Sequence, residues 1–180
     1  GATQEGVAMT QATISKGKRQ STATSYLSPA KKRGNLTIIT DSYATKLIID
    51  NKRCMGVEFY QSKRLRQVLA NREVIVCSGT INSPKLLELS GIGDVDVIKN
   101  AGLLVHHHLP GVGKNLRDHY APRMKWAILK NGYTYNDKAK GLGMLFQALN
   151  YLCFKSGFLA LPAAPMRAYV KSREGLLSPD

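Results

Sequence analysis

The sequence predicts a mixed α/β (α+β) fold, and three observations predict it. Residues 36–77 carry five short runs that are β-branched or alternate apolar with polar, each separated from the next by a polar turn. The turns are too short to hold crossover helices, so the middle strands form an antiparallel β-meander. A helix with clear start and stop residues follows, and a second helical apolar face recurs near the C-terminal end. The 180 residues are 43% hydrophobic and 7% aromatic, a globular composition that excludes wholesale disorder.

Residues 1–34 are rich in Ser, Thr, Gln and Ala and show little periodicity, which predicts an irregular segment, a short helix near Ser21 to Leu27, and a turn at Lys31-Lys32-Arg33-Gly34. Strands are expected over Leu36 to Ile39, Ala44 to Ile49, Cys54 to Tyr60, Leu65 to Ala70 and Val74 to Cys77. The last is continuously apolar, as a strand covered on both faces would be. After Ser78-Gly79-Thr80 the spacing predicts a helix capped by Ser83, with Pro84 at its first position, Leu86, Leu87 and Leu89 on its apolar side, and Gly91 just beyond its end. A shorter helix follows, with Asp94 as its cap, Val95 and Ile98 turned inward, and Gly102 as its stop. Leu103 to Val105 reads as a strand and residues 109–120 as a Gly/Pro loop, with a domain boundary near Tyr120. Beyond it, Met124 to Leu129 reads as a strand and Asn131 to Lys140 as a polar loop. Gly141 to Lys155 reads as a helix with Leu142, Leu145, Leu149 and Leu152 on one face.

The formal charge of +14 is uneven. Residues 1–34 carry six basic and one acidic residue, 35–120 carry eleven and eight, and 121–180 carry nine and three. Such a surplus fits a chain whose acidic parts lie elsewhere in a longer protein, and it also motivates a basic binding module for nucleic acid or anionic surfaces as a rival to any enzymatic reading, with an inactive gene remnant as the further alternative. Nucleic acid is not expected as the partner, because the basic residues do not interleave with the stacking aromatics that single-strand binders use. The apolar stretch from Leu142 to Phe154 is broken by Gln147 and Asn150 and falls short of the ~20 residues of a membrane span. Peripheral membrane association stays open and integral insertion is not expected. Gly1 to Glu5 lack an initiator Met, a basic n-region and an apolar h-region, so the chain reads as starting within a longer protein. Cys54, Cys77 and Cys153 are odd in number and form no Cys-x-x-Cys, which predicts free, mostly buried thiols in a reducing compartment.

Most candidate sites fail on spacing. Gly91-Ile-Gly93, Gly111-Val-Gly113 and Gly141-Leu-Gly143 each lack the third glycine of a dinucleotide fingerprint, with Asp96, Leu116 and Phe146 in its place. Tyr151-x-x-x-Lys155 matches a dehydrogenase catalytic pair by spacing alone. His106-His107-His108 cannot all converge on a metal, since neighbours on a strand point to opposite faces. Asp118 beside His119 is read as a structural hydrogen bond. The junction at Ser78-Gly79 is physically more promising. There an apolar strand ends and a helix begins, glycine permits close backbone approach, and helix N–H groups attract anions, so a phosphate-bearing ligand fits. A tight turn needed only for packing fits the same spacing.

The segment Gly79-Thr-Ile-Asn-Ser83-Pro84-Lys-Leu86-Leu87-Glu-Leu-Ser90-Gly91-Ile92-Gly93 resembles, over fifteen residues, the second signature of the glucose-methanol-choline (GMC) flavin oxidoreductases. Its pattern is Gly-small-x-x-Ser-Pro-x-aliphatic-aliphatic-x-x-Ser-Gly-aliphatic-Gly. Arg19 to Leu27, Asn35-Leu-Thr, Lys46 to Asp50, Gly56-Val-Glu and Leu109 to His119 resemble choline-dehydrogenase-type members as well. Cys77-Ser78 replaces a more usual small-Ala pair, and His108 stands where Asp is common.

The resemblance implies FAD as cofactor and a small-molecule primary alcohol as substrate, oxidised by hydride transfer to the flavin. It implies a central third of such an enzyme, an internal fragment without the dinucleotide fingerprint or the catalytic pair. Residues 1–120 then form the central part of the FAD-binding domain and 121–180 the beginning of the substrate domain. It further implies that Ala44 meets the adenine through its backbone and that Ser78 and Gly79 pass the adenosine-diphosphate part of FAD, while no catalytic or metal-binding residue is assigned. The electron acceptor stays open, and the location is read as cytoplasmic or membrane-peripheral.

Overall fold

The structure, a computed structural model, describes residues 5–130 and 132–179. In chain order the strands are β1 (Gly6–Met9), β2 (Ile14–Ser15), β3 (Lys18–Arg19), β4 (Ser42–Asp50), β5 (Arg53–Gln61), β6 (Arg64–Leu69), β7 (Ile92–Gly93), β8 (His107–His108) and β9 (Met166–Tyr169). The helices are α1 (Ser28–Ala30), α2 (Gly79–Leu89), α3 (Val95–Asn100), α4 (Tyr135–Lys138) and α5 (Gly141–Phe154). The fold is mixed α/β with antiparallel strands, as the sequence predicts. None of the described helices is long and apolar enough to cross a membrane. The chain divides into two compact units, one formed by Thr37–Arg123 and the other by Gly1–Leu36 with Met124–Asp180.

The unit Thr37–Arg123 is built on the meander β4-β5-β6, where the sequence places it. Its five buried apolar residues come from different elements: Leu47 and Phe59 from the meander, Leu86 from α2, Ile98 from α3, and Val112 from the loop after β8. The β4–β5 ladder is interrupted between Ala44 and Lys46, where Thr45 is an extra residue on β4. Ala44 stands opposite Phe59 and Leu47 opposite Val57. Since Phe59 and Val57 are two apart on β5, they share a face, and the bulge puts Ala44 and Leu47 on that same face although they are three apart. The Thr45 hydroxyl donates to the Glu58 carbonyl at 3.1 Å, which ties the bulge to the neighbouring strand.

Helix α2 begins at Gly79, so Ser83 is not its cap and Pro84 lies inside the helix rather than at its first position. Ser78 occupies the cap position without a side-chain cap bond. An interior proline forfeits one helical hydrogen bond, and α2 is held through it by tertiary contacts, above all the burial of Leu86 and the anchoring of Ser90. Ser90 is completely buried, its Oγ accepting from the Leu47 N–H at 2.8 Å and donating to the Leu86 carbonyl. Gly91 ends the helix as expected, with φ +76°. A Cβ there would strike the Leu104 carbonyl, and the Gly91 carbonyl accepts from the His106 and His107 N–H groups at 2.8 and 3.1 Å. These contacts seat β8 beside β7 in a short parallel pair. In α3, Asp94 caps as expected, accepting from the N–H groups of Asp96 and Val97, and Gly102 closes the helix with φ +71°.

Four expected strands do not form: Leu36 to Ile39, Val74 to Cys77, Leu103 to Val105 and Met124 to Leu129. A strand needs a ladder partner, and none of the described strands pairs with these segments. Ile75, expected to be covered on both faces, is 73% exposed. The thiols are free as expected but not mostly buried: Cys54 is half-buried, while Cys77 and Cys153 are exposed.

In the other unit, the segment read as irregular contains β1, paired antiparallel with β9, and the β2–β3 hairpin. The short helix near Ser21 to Leu27 is present as a wider π-helical turn over Ala23–Leu27 that runs into α1. The expected polar loop from Asn131 to Lys140 contains α4, while Asn131 itself lies outside the described residues. Asp137 makes this helix possible, its Oδ2 accepting from the Thr134 N–H, the Thr134 hydroxyl and the Gly132 N–H, each at 3.0 Å. Helix α5 matches its expected span, and its apolar face, including Leu142, Leu145, Leu149 and Leu152, is exposed.

Ser90→Ala is expected to lower stability by about 1–3 kcal/mol, because it strands a buried N–H group. Chemical denaturation of the full chain measures this, and amide exchange at Leu47 accelerates in the variant. The hydrogen bonds from Thr134, then that from Gly132, hold the Asp137 carboxyl below its ordinary value of 3.8. A depressed folded value means that its support of α4 is present above 3.8 and is lost as pH falls through the folded value. An NMR titration of the Asp137 carboxyl with a midpoint at or above 3.8 would refute this.

Candidate functional site

The bulge at Thr45 and the early start of α2 together create a cleft of about 230 Å³ between the beginning of β4 and one face of α2. Ala44 and Ser78, two of the three residues singled out by sequence, line it together. Gly79, the third, is the next residue along and turns the chain into α2 with φ +87°. A Cβ at Gly79 would meet no atom within 4 Å, so the backbone at the helix start is open to an approaching group. The first turn of α2 also presents N–H groups that have no acceptor within the helix.

The α2 side of the cleft is a helical stripe: Ser78, Asn82, Lys85, Leu86 and Leu89. Leu86 and Leu89 form its apolar part, and Asn82 and Lys85 its polar part. The Lys85 ammonium donates to the Tyr43 hydroxyl at 3.3 Å, and Tyr43 lines the cleft beside Ala44. Sequence reasoning missed Asn82 because it started the helix after that residue, at Ser83, and it passed over Tyr43 and Lys85 because their meeting is a tertiary contact. Extending the helical period back to Ser78 is the signal that finds Asn82.

The other candidates resolve differently. A second cleft, of about 550 Å³, lies between α2 and the Gly111-Val-Gly113 loop and is lined by Glu88, Lys114 and Arg117. Lys114 lies 4.0 Å from the Asp94 carboxylate. Lys155 stacks its ammonium over the Tyr151 ring at 4.8 Å and donates to the Leu152 carbonyl, a helix-end arrangement. Asp118 accepts from the His119 backbone N–H at 2.7 Å. His107 and His108 form β8.

The GMC oxidoreductase family model matches residues 1–121. Over 98% of its length the chain is 38% identical to an oxygen-dependent choline dehydrogenase of Photobacterium profundum, and it covers 31% of that protein. It is 36% identical to the human mitochondrial choline dehydrogenase, again over 98% of the chain and 30% of the relative. The chain thus spans about a third of the length of these curated relatives. Among solved structures, 86% of the chain superposes on 28% of an FAD-dependent oxidoreductase from Chaetomium thermophilum with a TM-score of 0.78 at 23% identity, a likeness of fold. A formate oxidase of Aspergillus oryzae superposes with a TM-score of 0.73 at 26% identity, over 87% of the chain and 27% of that protein. With the signature now seen as the α2 helix, its Ser90 anchor and its Gly91 stop, the chain belongs to the GMC oxidoreductase family.

Proposed function

We propose that this chain supplies part of the FAD-binding domain of a choline-dehydrogenase-like flavoenzyme that oxidises a primary alcohol. Residues 1–120 form the central part of that domain and residues 121–180 begin the substrate domain. The observation that carries the reading is the cleft lined by both Ala44 and Ser78, with Gly79 open beside it. At about 230 Å³ it is smaller than the ~300–1,000 Å³ of a pocket for a whole drug-sized ligand. It therefore suits one end of a dinucleotide. Ala44 offers its backbone to the adenine, and Ser78 and Gly79 border the diphosphate, where glycine allows close approach and the helix start favours negative charge. When bound, FAD supplies the acceptor for the hydride.

No residue of this chain is given a catalytic role. The substrate is a small-molecule alcohol, the electron acceptor stays open, and the location is read as cytoplasmic or membrane-peripheral. The rival suggested by the +14 charge, a basic binding module, gains no support from the family match.

The 180-residue chain alone is expected to bind FAD weakly or not at all and to show no turnover, since a site assembled from distant segments depends on all of them. Alcohol-dependent dye reduction by the purified chain would overturn that division of labour. An antibody raised against the chain is expected to detect a native product about three times heavier than 19.8 kDa, in line with the 31% coverage of the choline dehydrogenase relative. A single band at 19.8 kDa would count against the flavoenzyme reading.

A further inference from the structure

Helix α5 meets its own unit with its polar side. Gln147 and Asn150 are half-buried against the turn at Gly157, where a Cβ would lie 2.8 and 2.9 Å from their side chains, and the Ser156 hydroxyl donates to Asn150 Oδ1 at 3.1 Å. The opposite stripe, formed by Leu142, Leu145, Phe146, Leu149 and Leu152, is 52–84% exposed. Three- and four-residue steps put these side chains on one face.

Both ends of that face are basic. Lys138 and Lys140 are exposed just before the helix, and the Asp137 carboxylate beside them is taken up by Thr134 and Gly132. At the other end Lys155 closes the helix, and the tip of the β2–β3 hairpin packs on it, since a Cβ at Gly17 would strike the Lys155 carbonyl. That contact brings Lys16 and Lys18, both exposed, to the same end. A protein partner covering the stripe would have to pair these ammonium groups or strip their water. At an anionic membrane surface the lysine stems lie along the acyl boundary and the charged heads reach the phosphates.

We propose that the exposed face of α5 lies on an anionic lipid surface, with its leucines and Phe146 entering the acyl boundary and the lysines at its two ends meeting the headgroup phosphates. At 14 residues, or about 21 Å, the helix is shorter than the ~20 residues of a membrane span, so it lies in the plane of the surface. The inference rests on the membrane-peripheral part of the reading above and not on the cofactor.

The test uses the full-length flavoenzyme in flotation with vesicles of phosphatidylcholine alone or mixed with phosphatidylglycerol. Binding is expected to the mixed vesicles and to weaken as salt is raised. Lys138→Gln and Lys140→Gln are each expected to weaken it about fivefold. Leu145→Gln combined with Leu149→Gln is expected to weaken it by about tenfold or more while flavin content and alcohol turnover stay unchanged. Binding that the leucine substitutions leave intact overturns the proposal. Loss of flavin and turnover in that variant also overturns it, because the face is then covered by the rest of the enzyme or by a second copy. Leu149→Trp keeps the site apolar and gives a direct reading: its emission is expected to shift to the blue on mixed vesicles and to be quenched by brominated lipid, and emission that vesicles leave unchanged overturns the proposal. An enzyme that holds FAD and oxidises its alcohol but floats with neither vesicle loses this inference alone, whereas one that floats without ever holding flavin loses the cofactor reading alone.

Discussion

The fold around the cleft depends on one buried hydroxyl. Ser90 Oγ takes the Leu47 N–H and gives its own proton to the Leu86 carbonyl, so a single side chain joins the meander to the end of α2. Neither bond is open to solvent, because Ser90 has no exposed surface. The neighbouring Leu47 and Leu86 are themselves buried, and the apolar contact and the polar tie reinforce one another. With α2 fixed in this way, the helix tolerates Pro84 in its interior.

The same anchor explains why the signature ends as it does. Gly91 follows Ser90 at a positive φ and packs where a side chain would meet the Leu104 carbonyl. Its own carbonyl then receives the N–H groups that start β8. Serine and glycine at these two positions are therefore structural requirements of the helix end. The positions that the signature leaves open, Asn82 and Lys85, lie where the helix faces the cleft.

The two compact units differ in how they are held. All the buried residues among those described lie in the unit Thr37–Arg123. The other unit rests on the β1–β9 ladder, the hydrogen bonds at Asp137 and the stacking of Tyr135 on Phe158 at 5.4 Å, while Trp126 and the apolar face of α5 stay exposed. The success of sequence reading does not follow this contrast: Val74 to Cys77 and Leu103 to Val105, which form no strand, lie in the unit Thr37–Arg123, whereas the exposed α5 of the other unit matches its expected span. Where the apolar residues of an expected strand remain exposed, as at Ile75 or Leu129, periodicity has no partner to report on.

By itself the sequence determined the meander, the Asp94 cap, the Gly91 and Gly102 stops and the span of α5, because each follows from local preference or short-range pattern. It also determined the family, through the residues of its signature. Only the tertiary structure showed that α2 starts at Gly79 and runs through Pro84, and the tie that anchors its far end comes from Leu47 of β4, 43 residues from Ser90 in sequence. Only the tertiary structure revealed the bulge at Thr45, which turns Ala44 onto the face that meets α2 and so brings it to Ser78. A bulge is a property of two paired strands, and one strand's sequence does not contain it.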